Sequence, residues 1–110
     1  MKSSSLKENK DFRRLYYRAK SVASPNLVTY AMKNREGQTR VGITSGKKIG
    51  GAVQRNRARR IIRAAFSQLE GRINGSYDIV FVARTRTTAV KMQAVLADME
   101  KQLADLGVIK

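Results

Sequence analysis

Arg55-Asn56-Arg57-Ala58-Arg59-Arg60-Ile61-Ile62-Arg63 is the stretch on which the reading of this chain turns. It sets five arginines and an asparagine among nine residues and still keeps a helical apolar stripe. At about 100° per residue, Ala58, Ile61, Ile62, Ala65, Phe66 and Leu69 project to one side, and Arg55, Asn56, Arg59, Arg60 and Arg63 to the other. The pattern predicts a helix that docks on a core and holds guanidinium groups outward. Charge runs are ordinarily just solvated faces. Here, acids do not intervene to form i, i+4 pairs, so the neighbouring cations repel one another until a polyanion neutralises them. Arginine outnumbers lysine, and its planar fork suits phosphate and base edges. RNA or DNA is the expected partner.

The rest of the composition agrees. A chain of 110 residues has room for one domain with a modest core. Its formal net charge is +15, in the range of nucleic-acid-binding domains. Residues 1–63 carry 17 basic and 3 acidic groups, residues 64–110 only 6 and 5, which places the binding surface in the first half. The 42% apolar content supports folding. Cysteine and histidine are both absent, which removes disulfides, thiolate nucleophiles, the usual zinc ligands and imidazole acid–base chemistry. No apolar run approaches the ~20 residues of a membrane span, and Met1-Lys2-Ser3-Ser4-Ser5-Leu6 lacks the apolar core of a signal peptide. A soluble, cytoplasmic protein with no membrane contact is expected.

Outward from the arginine helix, residues 1–8 read as a flexible basic lead-in and 9–110 as a single RNA-binding α+β domain. Asn9 is a plausible cap for a first helix running to about Lys20, with Phe12, Leu15 and Tyr16 at i, i+3, i+4. Ser24-Pro25-Asn26 breaks it. Leu27–Lys33 alternates as a strand, with Val28, Tyr30 and Met32 on one face. Asn34–Gln38 reads as a hairpin loop into a second strand over Thr39–Ser45, and Gly46–Gly51 as a flexible basic connector. The arginine helix ends near Gly71. Tyr77–Ala83, continuously apolar after Asp78, reads as a strand covered on both faces. Thr88 caps a last helix with core positions Met92, Val95, Leu96, Met99, Leu103 and Leu106, stopped by Gly107. The order α-β-β-α-β-α around one small sheet predicts an α+β fold, a single-domain α/β sandwich.

Three further patterns bear on function. The Lys47-Lys48 connector is not a nucleotide-hydrolysing loop: only three residues separate Gly42 from Gly46-Lys47, and no hydroxyl residue follows. It is a glycine-rich turn that brings two lysines and helix N-terminal amides to a phosphate. Phe12, Tyr16, Tyr17, Val28 and Tyr30 interleave with Lys10, Arg13, Arg14, Arg18 and Lys20, as single-stranded nucleic acid requires. A core role explains the same stripe, and for Leu15 it is the better one. The carboxylates, finally, form no cluster of the kind a two-metal nuclease needs. No catalytic residue and no metal site is therefore assigned to the polypeptide.

The run Arg40-Val41-Gly42, Lys47-Lys48-Ile49-Gly50, then Ala52-Val53-Gln54-Arg55-Asn56-Arg57-Ala58-Arg59-Arg60-Ile61-Ile62-Arg63, behind an aromatic-bearing helix, resembles the protein-subunit family of bacterial ribonuclease P. The resemblance runs from about Leu6 to Ala83. It implies that Arg55, Asn56, Arg57, Arg59, Arg60 and Arg63, with Lys47 and Lys48, contact a catalytic RNA. It also implies that Phe12, Arg13, Tyr16, Val28 and Tyr30 lie in a cleft for the 5′ leader of precursor tRNA. The RNA, with Mg²⁺ bound mainly by that RNA, then removes the leader, and no further protein partner is required. A left-handed β-α-β crossover is implied too, against the usual right-handed rule. Ser45-Gly46 departs from the family's more usual Val-Ser. A small basic ribosomal protein is the alternative, though it gives no reason for the aromatic first helix.

Overall fold

The computed structural model describes residues 3–110. In chain order the elements are β1 (Ser4–Ser5), α1 (Asn9–Arg18), β2 (Lys20–Ala23), β3 (Leu27–Lys33), β4 (Arg40–Thr44), α2 (Ala52–Leu69), β5 (Tyr77–Ala83) and α3 (Met92–Asp105). The strands form one mixed sheet in the order β1-β4-β5-β3-β2. β5 lies at its centre, parallel to β4 and antiparallel to β3, which is why its sequence is apolar on both faces. β4 and β5 are adjacent parallel strands joined through α2, and so form the expected β-α-β unit.

Cross-strand partners face the same side of a sheet, so the register divides the residues between two layers. Leu27 and Ala31 of β3, with Ile79, Phe81 and Ala83 of β5, meet α2 and α3 in the main core. Ala58, Ile62, Ala65, Phe66 and Leu69 of α2 are buried there and Ile61 is packed at its margin, so the apolar stripe lies where its periodicity put it. Among the described residues, α1 is the helix that covers the other face. Its core is small: Leu6, Leu15 and Val80, with Phe12, Ala19, Tyr30, Met32 and Val82 partly buried around them.

Several expectations need correction. β3 and β4 do not form a hairpin, because β5 inserts between them and the 34–38 loop steps over its start. Hydrophobic alternation identifies a strand but carries no information about its partner. The lead-in is not wholly outside the domain: Ser4–Ser5 pairs with Arg40–Val41 at the sheet edge, and Leu6 is buried beneath α1. The part of that expectation covering residues 1–2 lies outside the described residues. α1 begins after Glu8 rather than being capped by Asn9, and it stops at Arg18 because Lys20–Ala23 becomes an unforeseen edge strand. Thr88 does not cap α3. It ends a 3₁₀ turn, Thr85–Thr88, in which the buried Thr87 hydroxyl donates to the Asn26 carbonyl at 2.7 Å.

Candidate nucleic-acid interface

α2 presents Asn56, Arg57, Arg59, Arg60 and Arg63 as exposed side chains, but Arg55 does not stand with them as expected: seven residues before the buried Ile62, it lies on the same side of the helix as the apolar stripe and is half-buried. None of its five arginines is in an ion pair among the described residues. Arg59 is steered by one contact, donating to the Ile43 carbonyl at 3.2 Å. Asn56, Arg59, Arg60 and Arg63 line a shallow groove beside Val53, itself an exposed apolar residue. Such a groove offers fixed donors at positive potential to a phosphate chain.

Lys47 and Lys48 are exposed on a 3₁₀ turn, Lys47–Ile49, that leads into α2. This replaces the flexible connector expected from the glycines. The Ile49 amide donates to Gly46 at 3.1 Å and the Gly50 amide to Lys47 at 3.2 Å, while Ile49 packs against the main core. Gly50 has φ 132°, in the region that favours glycine, and turns the chain into the helix. Both lysines therefore stand at the positive end of the α2 dipole.

On the α1 face, the structure brings the aromatic set together and gives its members different roles. Leu15 is fully buried. The Phe12 ring presses its outer end against the backbone of Gly42, where any Cβ would come within 2.6 Å of it; only glycine admits this contact. Tyr16 is 42% exposed, meets Tyr30 edge-on at 5.1 Å, and donates weakly from its hydroxyl to Thr44 at 3.4 Å. Beyond this pair, register aligns Val28, Val82 and Thr44 in one row across β3, β5 and β4, and all three are only half-buried. The result is an apolar floor with rings at its side, open to solvent. Arg13 is exposed on α1. Tyr17 is 90% exposed and lies on the outer side of the helix, away from this floor.

The arginine groove and the ring floor lie on opposite faces of the sheet, yet they meet at its edge. A cavity of about 340 Å³ beside β4 is lined by Phe12, Gly42, Ile43, Arg59 and Arg63. Sequence reasoning could not find this junction, since it depends on β1 and β4 forming the sheet edge.

Nor did the sequence reveal a buried ionic cluster at the other end of the α1 face. Asp78 of β5 is 1% exposed. Arg40 grips it with two hydrogen bonds, Nε to Oδ1 at 2.8 Å and Nη2 to Oδ2 at 2.7 Å. Asn34 donates to Oδ1 at 2.8 Å, and Arg14 of α1 donates to Oδ2 at 3.0 Å. Burial pushes the Asp78 carboxyl up, but the hydrogen bonds from Arg40 and Asn34 and the charges of Arg40 and Arg14 outweigh it, so its pKa lies below the ordinary value. The Arg40 guanidinium is held above its own, chiefly by the hydrogen bond to Asp78. Arg14 and Arg40 are thus structural cations, not free ones. Among the described residues, no three carboxylates gather as metal ligands, and donors already occupy both oxygens of Asp78. No helix among the described residues is long and apolar enough to cross a membrane.

Comparison with known proteins agrees with this geometry. A family model described as Ribonuclease P matches residues 1–107. The ribonuclease P protein component of Clostridioides difficile is 40% identical over 102 residues, covering 92% of this chain and 86% of that protein. The solved ribonuclease P protein of Staphylococcus aureus superimposes with a TM-score of 0.85 at 33% identity, over 99% of this chain and 100% of that one. The Thermotoga maritima protein does so with a TM-score of 0.79 at 27% identity, over 97% and 98%.

Proposed function

The chain belongs to the ribonuclease P protein family, and we propose that it serves the enzyme through two surfaces with different ligands. Precursor-tRNA processing by a ribonucleoprotein endonuclease is the role of that family, and its partner is the ribonuclease P RNA. The α2 face, with Arg55, Asn56, Arg57, Arg59, Arg60 and Arg63 and the preceding Lys47 and Lys48, takes phosphates of that RNA. The floor of Val28, walled by Phe12, Tyr16 and Tyr30 and flanked by Arg13, takes the unpaired 5′ leader of precursor tRNA.

The observation that carries the second assignment is the Tyr16–Tyr30 pair, left open over half-buried valines. A fold that needed these rings only for its core would close over them, as it closes over Leu15. Rings beside cations bind single strands by stacking, largely independent of base identity. That suits a leader of variable sequence.

The chemistry falls to the RNA. Hydrolysis of a phosphodiester needs an activated water and stabilised oxyanions, and the carboxylates of this chain are spent on ion pairs or scattered. Mg²⁺ is bound by the RNA, and the polypeptide contributes counter-charge that lets the RNA fold and hold its ions. The site of action is the cytoplasm, and no second protein is required.

Holoenzyme reconstituted with its RNA at low Mg²⁺ tests the assignment. Tyr30→Ala is expected to cost roughly 1–3 kcal/mol in precursor binding and to leave mature tRNA, which has no leader, bound as before. Equal losses for precursor and mature tRNA would overturn it.

A further inference from the structure

We propose that Arg14 is a positioning residue for the leader cleft: its contact with Asp78 fixes the rotation of α1 over the sheet and thereby the depth of the Tyr16 ring against Tyr30. This rests on the leader reading above and adds to it a side chain that touches no RNA.

The donors around Asp78 are redundant. Asp78 is already neutralised and hydrogen-bonded by Arg40, which reaches both oxygens, and by Asn34. Both of those donors come from the sheet layer, β4 and the loop residue that follows β3. A third donor residue is not needed to bury the carboxylate. Arg14 is the one that comes from α1, and it spans 64 positions of sequence to reach Oδ2 at 3.0 Å. It also lies 3.4 Å from Oδ1 of Asp11, one turn earlier and itself buried, which holds the guanidinium toward the sheet.

The geometry of the helix gives that contact leverage. α1 has only ten residues, and Leu15 is its one fully buried apolar side chain, with Phe12 half-buried one turn earlier against Gly42. Two contacts one turn apart fix distance from the sheet and seat one flank of the helix, but they leave the other flank to be held by something else. Arg14 and Asp11 lie on one flank of the helix and Tyr16 on the other, by the 100° projection. Asp78, in register with Met32 and Arg40, marks one end of the α1 face, while Val28, Val82 and Thr44 mark the other. A tether at the first end and on the first flank therefore holds the rings in place at the second. Tyr16 has no tie of comparable strength, only an edge contact and a 3.4 Å hydroxyl contact.

The test uses holoenzyme carrying Arg14→Ala, Arg14→Lys, Tyr16→Ala and the Arg14→Ala/Tyr16→Ala double variant. Arg14→Ala should weaken precursor binding about five-fold, the equivalent of a coupling near 1 kcal/mol between neighbouring side chains. Mature tRNA and the catalytic RNA should bind unchanged, and the salt dependence of precursor binding should keep its slope. Arg14→Lys, which retains a donor to Oδ2, should recover part of the loss. In the Tyr16→Ala background the loss should vanish, because a tether for an absent ring has nothing to position. Unchanged precursor affinity in Arg14→Ala overturns the proposal. So does a salt slope flatter by about one unit, which marks a direct phosphate contact, or an effect that simply adds to that of Tyr16→Ala. If Tyr16→Ala alone spares the preference for precursor, the leader reading fails and this inference falls with it. If Tyr16→Ala abolishes the preference and Arg14→Ala does not touch it, only the positioning role is lost.

Discussion

The two faces of the sheet are built on different principles. Under α2 and α3 the sheet is sealed by large side chains with almost no exposure, among them Phe66, Phe81, Ile62 and Met99. Under α1 the buried apolar set shrinks to Leu6, Leu15 and Val80, and an ionic cluster around Asp78 does much of the holding. The first face makes the fold. The second is kept incompletely packed, and its half-covered rings are what a ligand can reach. A third surface, the outer side of α2, inherits its rigidity from the first face, because the helix that displays the arginines is the one that packs the core.

The sharpest way to break this division is Ile62→Asp. It places a carboxylate in the sealed layer, without a partner, on the helix that carries the arginines. The domain is expected to unfold, with loss of the circular-dichroism melt; a folded, soluble variant would show that the two sides of α2 are assigned the wrong way round.

Next in size is Asp78→Asn, which leaves Arg40 and Arg14 facing a neutral amide and should cost about 3 kcal/mol. It also changes the response to acid. Because the folded-state pKa of Asp78 is depressed, the stability it contributes is present above the ordinary aspartate value of about 3.9. That stability is lost as pH falls through the lower folded value. Urea melts between pH 3 and 7 should therefore show a weaker acid dependence in Asp78→Asn than in the parent, and identical slopes would remove the carboxylate from the accounting.

Phe12→Ala sharpens the boundary within the α1 face. The ring is half-buried and covers Gly42, so its loss should lower stability by about 2 kcal/mol, less than for a fully buried ring. It should weaken precursor binding as well. Tyr16→Ala should show the second effect with little of the first, and thermal melts of both variants separate the ring that builds the cleft from the ring that lines it.

The smallest change in stability is expected on α2. Arg57→Ala and Arg60→Ala should stay within about 0.5 kcal/mol of the parent. Each lost phosphate contact should flatten the log–log salt dependence of binding to the catalytic RNA by roughly one unit. Unchanged affinity and slope in both variants would take the arginine face out of the interface.

What the sequence alone determined was whatever repeats within one element. The two sides of α2, the alternation of β3 and the double burial of β5 all follow from a side-chain period of 3.6 or 2, and each was legible residue by residue. The arginine face was legible for the same reason, because its residues are neighbours on a single helix. Tertiary structure decided what depends on partners distant in the chain. It placed β5 between β3 and β4, recruited Ser4–Ser5 and Leu6 into the domain, and made a strand of Lys20–Ala23, a segment too short and too exposed to carry a pattern. It also separated cations that look alike in sequence: Arg13 stays free on α1, while Arg14, one residue later, is bound to a carboxylate 64 positions away. Periodicity sets which way a side chain points from its own backbone, but only the packing of one element on another sets what it meets there.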